Sequence, residues 1–89
     1  MGRPYRWNEW NIEHLDRHGV SAAEAEYVID HAKPPYPEYI GDGKWRVWGQ
    51  TAAGRYVQVI FIIEDDLYYV IHARGLSDSE KRTLRRRTK

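Results

Sequence analysis

The chain has 89 residues, which fits one domain over residues 1–89, and its net charge of +1 alone indicates no polyanionic partner. It lacks cysteine, which excludes disulfides and thiolate metal sites, and it lacks the roughly 20 apolar residues in a row that a membrane helix needs. We therefore expect a soluble, cytoplasmic protein without a membrane association, whose core is built largely from its four tryptophans and seven tyrosines.

The first helix is predicted after Trp7. Asn8 can cap a helix that runs through Glu9 to about His18, and Gly19 tolerates the left-handed conformation that ends such a helix. Helical spacing then places three polar residues on one face, namely Asn11, His14 and His18.

A second helix is predicted from the capping box "SAAE", in which Ser21 and Glu24 satisfy backbone amides reciprocally. Its apolar positions recur at helical spacing, so one face is to be buried. The proline-rich "KPPYP" at residues 33–37 ends it, because proline cannot continue the hydrogen-bond ladder.

From Lys44 onward the apolar residues alternate, which predicts strands. Residues 44–50 separate Trp45 and Val47 from Arg46, Trp48 and Gln50, and residues 55–64 read as a central strand. In residues 67–74 the alternation puts four side chains on one face: Tyr68, Val70, His72 and Arg74. Short turns between these runs predict an antiparallel meander, with a further short strand at residues 36–40.

A last helix is predicted from the capping box "SDSE", formed by Ser77 and Glu80. Most of its later residues are cationic, and six cations lie in residues 81–89: Lys81, Arg82, Arg85, Arg86, Arg87 and Lys89. The fold class expected is α+β, with two N-terminal helices on a three- to four-stranded antiparallel sheet and a basic C-terminal helix.

The end of the last strand carries the candidate chemistry. Cleavage of RNA without a metal requires a proton acceptor, a proton donor and cations against the phosphate charge, and His72, Arg74 and Glu80 supply such groups. Arg46, Trp48 and the basic helix, with Lys81, Arg82 and Arg85, are the candidate RNA-binding groups. The structural alternatives are a His72 bonded to the backbone, an Arg74–Glu80 surface salt bridge, and a solvated helix end.

Other sites have little support. His14 and His18 are spaced for one helical face, but no glutamate lies between them and no third ligand is evident, so no metal is expected. The acidic run Glu64, Asp65 and Asp66 reads as a hairpin turn. The "GDG" at residues 41–43 opens no helix, so no nucleotide cofactor is expected either.

Three segments together resemble one protein family: "WNEWNIEHLDRHGVSAAEAEYV", "WGQTAAGRYVQVIF" and "VIHARGLSDSEKR". In this order and spacing they look like the BrnT-type toxins of bacterial type II toxin-antitoxin systems. The resemblance extends from Trp7 to about Arg86. It implies a RelE-like fold, a ribonuclease that arrests translation, and a cognate antitoxin through which the pair contacts DNA.

The resemblance also assigns residues. The family's arginine at the strand end falls on Arg74, its helix glutamate on Glu80, the following basic position on Arg82, and the arginine after the central glycine on Arg55. In one position the chain departs from the pattern, because Leu84 stands where many relatives have tyrosine.

We therefore expect a metal-independent endoribonuclease that needs no cofactor and in which Arg46 and Arg55 hold flanking RNA. The alternative is a non-catalytic module that binds RNA or an antitoxin on the same fold. A third reading is an oligomerising partner of a transcription factor. The chain is expected to act as a homodimer or a hetero-oligomer.

Overall fold

Three helices and five strands form an α+β fold in residues 4–88, the part of the chain that the computed structural model describes. In chain order they are β1 (Tyr5–Arg6), α1 (Glu9–Asp16), α2 (Ala22–Asp30), β2 (Glu38–Gly41), β3 (Lys44–Gln50), β4 (Tyr56–Glu64), β5 (Leu67–Gly75) and α3 (Asp78–Arg87). The strands form one sheet in the order β1-β5-β4-β3-β2, parallel between β1 and β5 and antiparallel elsewhere.

The α+β class, the three predicted helices, the antiparallel meander (β3, β4 and β5) and the further short strand (β2) are confirmed. The predicted strand count is wrong, because the sheet has five strands, and the fifth, β1, pairs with β5 in parallel. Lys89, counted in the basic segment, lies outside the described residues. No helix in residues 4–88 has both the length and the apolar character needed to cross a membrane.

The strand that sequence analysis missed is β1. With two residues it is too short to show any alternation, and contacts distant in sequence hold it in place. The Tyr5 ring lies 5.3 Å from the Tyr68 ring, and its hydroxyl donates to Asp30 Oδ1 at 2.6 Å. Burial and this bond raise the pKa of Tyr5 well above its usual 10. Arg6 pairs with Glu64 at 2.7 Å.

The helices begin where their caps predict. Each N-cap side chain accepts from the backbone of the third helical residue, whose own side chain bonds back, which satisfies amides that a helix start leaves unpaired. α1 ends at Asp16, slightly before the predicted His18, and Gly19 adopts a φ of +70°. The capping pairs are Asn8 with Asn11, Ser21 with Glu24, and Ser77 with Glu80.

A β-bulge changes the alternation in β5. Phe61 pairs with Val70, but the preceding residue of β4, Ile60, pairs with His72, so Ile71 is an extra residue on β5. At a bulge the sequence of inward and outward side chains reverses. The side chains after Ile71 therefore point to the face opposite to the one that simple alternation predicts.

The predicted face of β5 is accordingly wrong in one respect. Val70 and Ala73 are fully buried in the core, whereas His72 and Arg74 lie on the other side of the sheet and are half-buried. The two candidate residues still share a face with each other, because the bulge precedes both. Tyr68 and Val70 do not belong to that face.

The main part of the core lies between the sheet and the first two helices. Leu15 from α1, Val28 from α2, and Val47, Val59 and Phe61 from the central strands are almost completely buried. A Cβ atom at Gly49 would lie only 3.3 Å from Cγ1 of Val28, so the glycine permits the close approach of α2 to β3. These contacts fix one face of the sheet and leave the opposite face for α3.

Candidate functional site

Side chains that are paired across neighbouring strands lie on the same face of a sheet. Two adjacent rows result here: the first contains Glu38, Arg46, Ile60 and His72, and the second contains Trp48, Gln58 and Arg74. Four candidate residues thus come together, Arg46 and Trp48 from β3 and His72 and Arg74 from β5, with β4 between them. We call the face that carries these two rows the site face.

α3 crosses the site face from β5 to β2. Near its start Glu80 bonds to Arg74, and near its end Arg87 donates to the Tyr36 hydroxyl at 2.8 Å and contacts Glu38 at 3.4 Å. Leu84, between them, is only 5% exposed and packs in the core. The helix therefore covers part of the site face and borders the rows that contain His72 and Arg74.

Arg74 and Glu80 form a two-point ion pair. The Nη1 and Nη2 atoms of Arg74 donate to Oε1 and Oε2 of Glu80, each at 2.8 Å. This bond raises the pKa of Arg74, and together with the Ser77 backbone amide it lowers the pKa of Glu80 to about 2. A carboxylate with so low a pKa carries no proton near pH 7 and is a weak base, so Glu80 is poorly suited to proton transfer. Its two bonds to Arg74 suit it to positioning the guanidinium.

Three histidines surround one point beside this pair. The His72 ring centroid lies 5.3 Å from that of His18 and 6.3 Å from that of His14. Burial, followed by electrostatic interactions with His18, Arg74 and His14, lowers the pKa of His72 below its usual 6.5. His72 is therefore neutral near pH 7, which is the form that accepts a proton.

Sequence analysis did not include His14 and His18 in the site, although their shared helical face was the relevant pattern. That face is directed at β5, where the bulge presents His72. Within residues 4–88, no group of histidine, cysteine, aspartate or glutamate side chains has the arrangement needed to hold a metal ion.

Arg46 and Trp48 are engaged by neighbouring side chains. Trp48 donates to Gln58 Oε1 at 2.9 Å, stacks with Tyr36 at 6.2 Å, and lies 5.0 Å beneath the Arg46 guanidinium. Arg46 is also hydrogen-bonded to Glu38. Burial alone would raise the pKa of Glu38, but the bond from Arg46 lowers it. Both candidates lie on the site face, but neither is free of protein contacts.

Arg55 precedes β4 and acts on the end of α1. Its guanidinium donates to the carbonyl oxygens of His18 and Gly19, which a helix end leaves without partners. A Cβ at Gly75 would lie 3.5 Å from Nη2 of Arg55, so the guanidinium fits between α1 and the end of β5. This geometry positions His18, and a contact of Arg55 with RNA stays a prediction.

The cations of α3 differ in their surroundings. Lys81 and Arg85 lie 5.7 and 5.9 Å from the centre of the Tyr56 ring, and Lys81 approaches Asp78 at 3.8 Å. In the described part of the chain, the exposed side chain of Arg82 has no hydrogen bond, ion pair or ring contact. Of these three, Arg82 is the one whose charge is not shared with a neighbour.

The pKa of His72 predicts how stability depends on pH. Because its pKa is lower in the folded than in the unfolded chain, the unfolded chain binds more protons between the two values, and stability falls as pH drops below 6.5. His72→Gln should weaken this dependence. Urea unfolding of the wild type and of His72→Gln at pH 7.5 and pH 5.5 measures this effect. If the two proteins lose the same amount of stability between these pH values, the prediction is wrong.

Comparison of the chain with family models, with curated proteins and with solved structures gave no match. The geometry above and the resemblance described from the sequence are therefore the basis for assigning a function.

Proposed function

We propose that the chain is the toxin of a type II toxin-antitoxin system, a cytoplasmic, metal-independent endoribonuclease with a RelE-like fold. The observation that carries the proposal is the placement of a neutral His72 beside Arg74 on a face bordered by a cationic helix. When a 2′-hydroxyl attacks phosphorus, a neutral base must accept its proton and a fixed cation must offset the charge that develops on the phosphate.

In the reaction His72 takes the proton of the 2′-hydroxyl while that oxygen forms a bond to phosphorus. The bond from phosphorus to the 5′ oxygen breaks, and this oxygen receives a proton from a second histidine, for which His18 is the nearest candidate. Arg74 neutralises charge on the non-bridging oxygens, and Glu80 holds its guanidinium in place. The products are a 2′,3′-cyclic phosphate and a 5′-hydroxyl end.

Incubation of the purified protein with single-stranded RNA in excess EDTA tests the chemistry. We expect cleavage at an unchanged rate, with product 5′ ends that polynucleotide kinase labels without prior phosphatase treatment. The mechanism is wrong if the chelator abolishes cleavage, or if the folded protein binds the RNA and leaves it intact.

The second candidate is a binding module that retains the fold and an antitoxin partner but does not turn over RNA. Two observations favour it: Glu80 already occupies both outer nitrogens of Arg74, and Leu84 is a buried apolar side chain where many of the toxins have tyrosine. Host growth separates the two candidates. Without an antitoxin, the wild type should arrest growth if it is the nuclease, and a binder should not.

Under either candidate, the partner is an antitoxin that carries its own DNA-binding domain and occupies the site face. Binding of this antitoxin would place the pair on DNA without a DNA contact from the chain itself.

A further inference from the structure

Trp10 is a large aromatic side chain that the proposed reaction does not use. It lies on α1 and is 54% exposed, so the core does not account for it. An exposed tryptophan that is also held in place by ring contacts is a preformed surface for stacking.

Two neighbouring rings hold the Trp10 ring in place. It stacks on the His14 ring with centroids 4.9 Å apart and an interplanar angle of 9°, and on the Tyr69 ring at 6.3 Å and 17°. Tyr69 is itself fixed by a hydrogen bond from Asn8 and by the Arg6 guanidinium, 5.2 Å from its ring centre. Such fixed rings lose little freedom when a ligand stacks on them.

The platform continues the candidate site. His14 contacts both Trp10 and His72, so one imidazole separates the tryptophan from the proposed base. Tyr69 pairs with Ile62 across the sheet, in the row that follows the His72 row on the side away from Arg74. The rings therefore extend the site face at the end that α3 does not cover.

We propose that Trp10, supported by His14, stacks with the unpaired base of a nucleotide next to the phosphate held at His72 and Arg74. The inference rests on the proposed function and narrows its substrate to single-stranded RNA, because a base inside a duplex has no free face to stack on a side chain.

Binding of a 2′-O-methyl oligonucleotide tests the platform, because this RNA lacks the attacking hydroxyl and stays intact. Loss of one stacked base corresponds to about 1–3 kcal/mol, so Trp10→Ala should weaken binding of the single strand by about 5- to 150-fold. Trp10→Phe, which keeps an aromatic face, should retain most of the affinity. The matched control is Ile12→Ala, a neighbour on α1 that is 47% exposed, and it should bind as the wild type does.

An abasic scan sharpens the test. At one position of the oligonucleotide, removal of the base should weaken wild-type binding by a similar factor and have no further effect on Trp10→Ala, because both changes remove the same contact. Binding of the corresponding duplex should be equal for all four proteins.

Two outcomes separate failure of the platform from failure of the function. If the wild type cleaves RNA, and Trp10→Ala binds the single strand as tightly as Ile12→Ala does, the platform does not exist although the nuclease does. If the wild type neither binds nor cleaves RNA, the proposed function itself is wrong, and the platform fails with it.

Discussion

Replacement of Arg74 by alanine should lower the rate of RNA cleavage by about 100- to 1000-fold, the usual effect of removing a group that stabilises developing charge. Arg74 is the cation nearest to the proposed base on its strand, and its two-point bond to Glu80 fixes its direction. Single-turnover cleavage of a labelled RNA measures the loss. In a host without the antitoxin, expression of the variant should permit growth where the wild type arrests it.

Three further variants show whether charge or geometry matters. Arg74→Lys keeps the charge but not the planar fork, so it should recover only part of the rate. Glu80→Gln can still serve the helix cap but no longer holds Arg74 by charge, and it should lower the rate less than Arg74→Ala does. Arg17→Ala is the control, since the exposed Arg17 side chain has no bond or ring contact within residues 4–88.

The result would favour the binding module if Arg74→Ala and the wild type cleaved RNA equally poorly and permitted equal growth. If Arg17→Ala lost as much activity as Arg74→Ala, the loss would not be specific to Arg74, and the active site would not lie where we propose. Arg74→Ala should unfold at a lower urea concentration than Arg17→Ala, because it removes a two-point ion pair, so the two activities are compared under conditions in which both variants are folded.

Local signals in the sequence were sufficient for the helix starts and the last hairpin. Ser21 with Glu24 and Ser77 with Glu80 act within four residues of each other, and tertiary contacts did not change them. The hairpin turn is similar: Asp65 and Asp66 have positive φ angles of 53° and 64°, as a tight turn between strands requires.

Features that depend on distant residues could not be predicted from local patterns. The extra residue Ile71 exists only relative to Ile60 and Phe61, which pair with its neighbours. Arg55 could not be recognised as the residue that binds the end of α1, since its partners His18 and Gly19 lie far away in sequence. The grouping of the site residues also depends on contacts between residues that are far apart in sequence.

The histidine cluster shows the limit most clearly. His14 and His18 were recognised as sharing one helical face, but the direction of that face depends on where α1 lies against the sheet. β1 covers β5 only at Tyr68 and Tyr69, so α1 lies beside the rest of that edge and brings both histidines to His72. Neither the two-residue strand nor its consequence has a signature in the sequence.

Asn11 is the residue that attaches α1 to this edge, and Asn11→Ala should lower the free energy of unfolding by about 3 kcal/mol or more. Its side chain is 0% exposed. Its Oδ1 accepts from the Asn8 amide at 2.8 Å, and its Nδ2 donates to the carbonyl oxygens of Arg6 and Val70, both at 3.1 Å. Alanine would remove these partners from the buried carbonyl of Val70 and from the partly buried backbone groups of Asn8 and Arg6.

Urea denaturation of the wild type, Asn11→Ala and Ile12→Ala measures this cost. Ile12 is 47% exposed, so its truncation should change stability by only about 0.5 kcal/mol. Equal stability of the two variants would show that the bonds of Asn11 contribute nothing.

Asn11→Asp separates the hydrogen bonds from the space that the side chain fills. Aspartate has nearly the same shape but no amide protons, so its carboxylate would face the carbonyl oxygens of Arg6 and Val70. Burial near these oxygens raises the pKa of such a carboxyl in the folded chain, which then binds more protons than the unfolded chain does. The deficit in stability should therefore shrink as pH falls. Because the same helix carries His14 and His18, cleavage should decline together with stability in both variants.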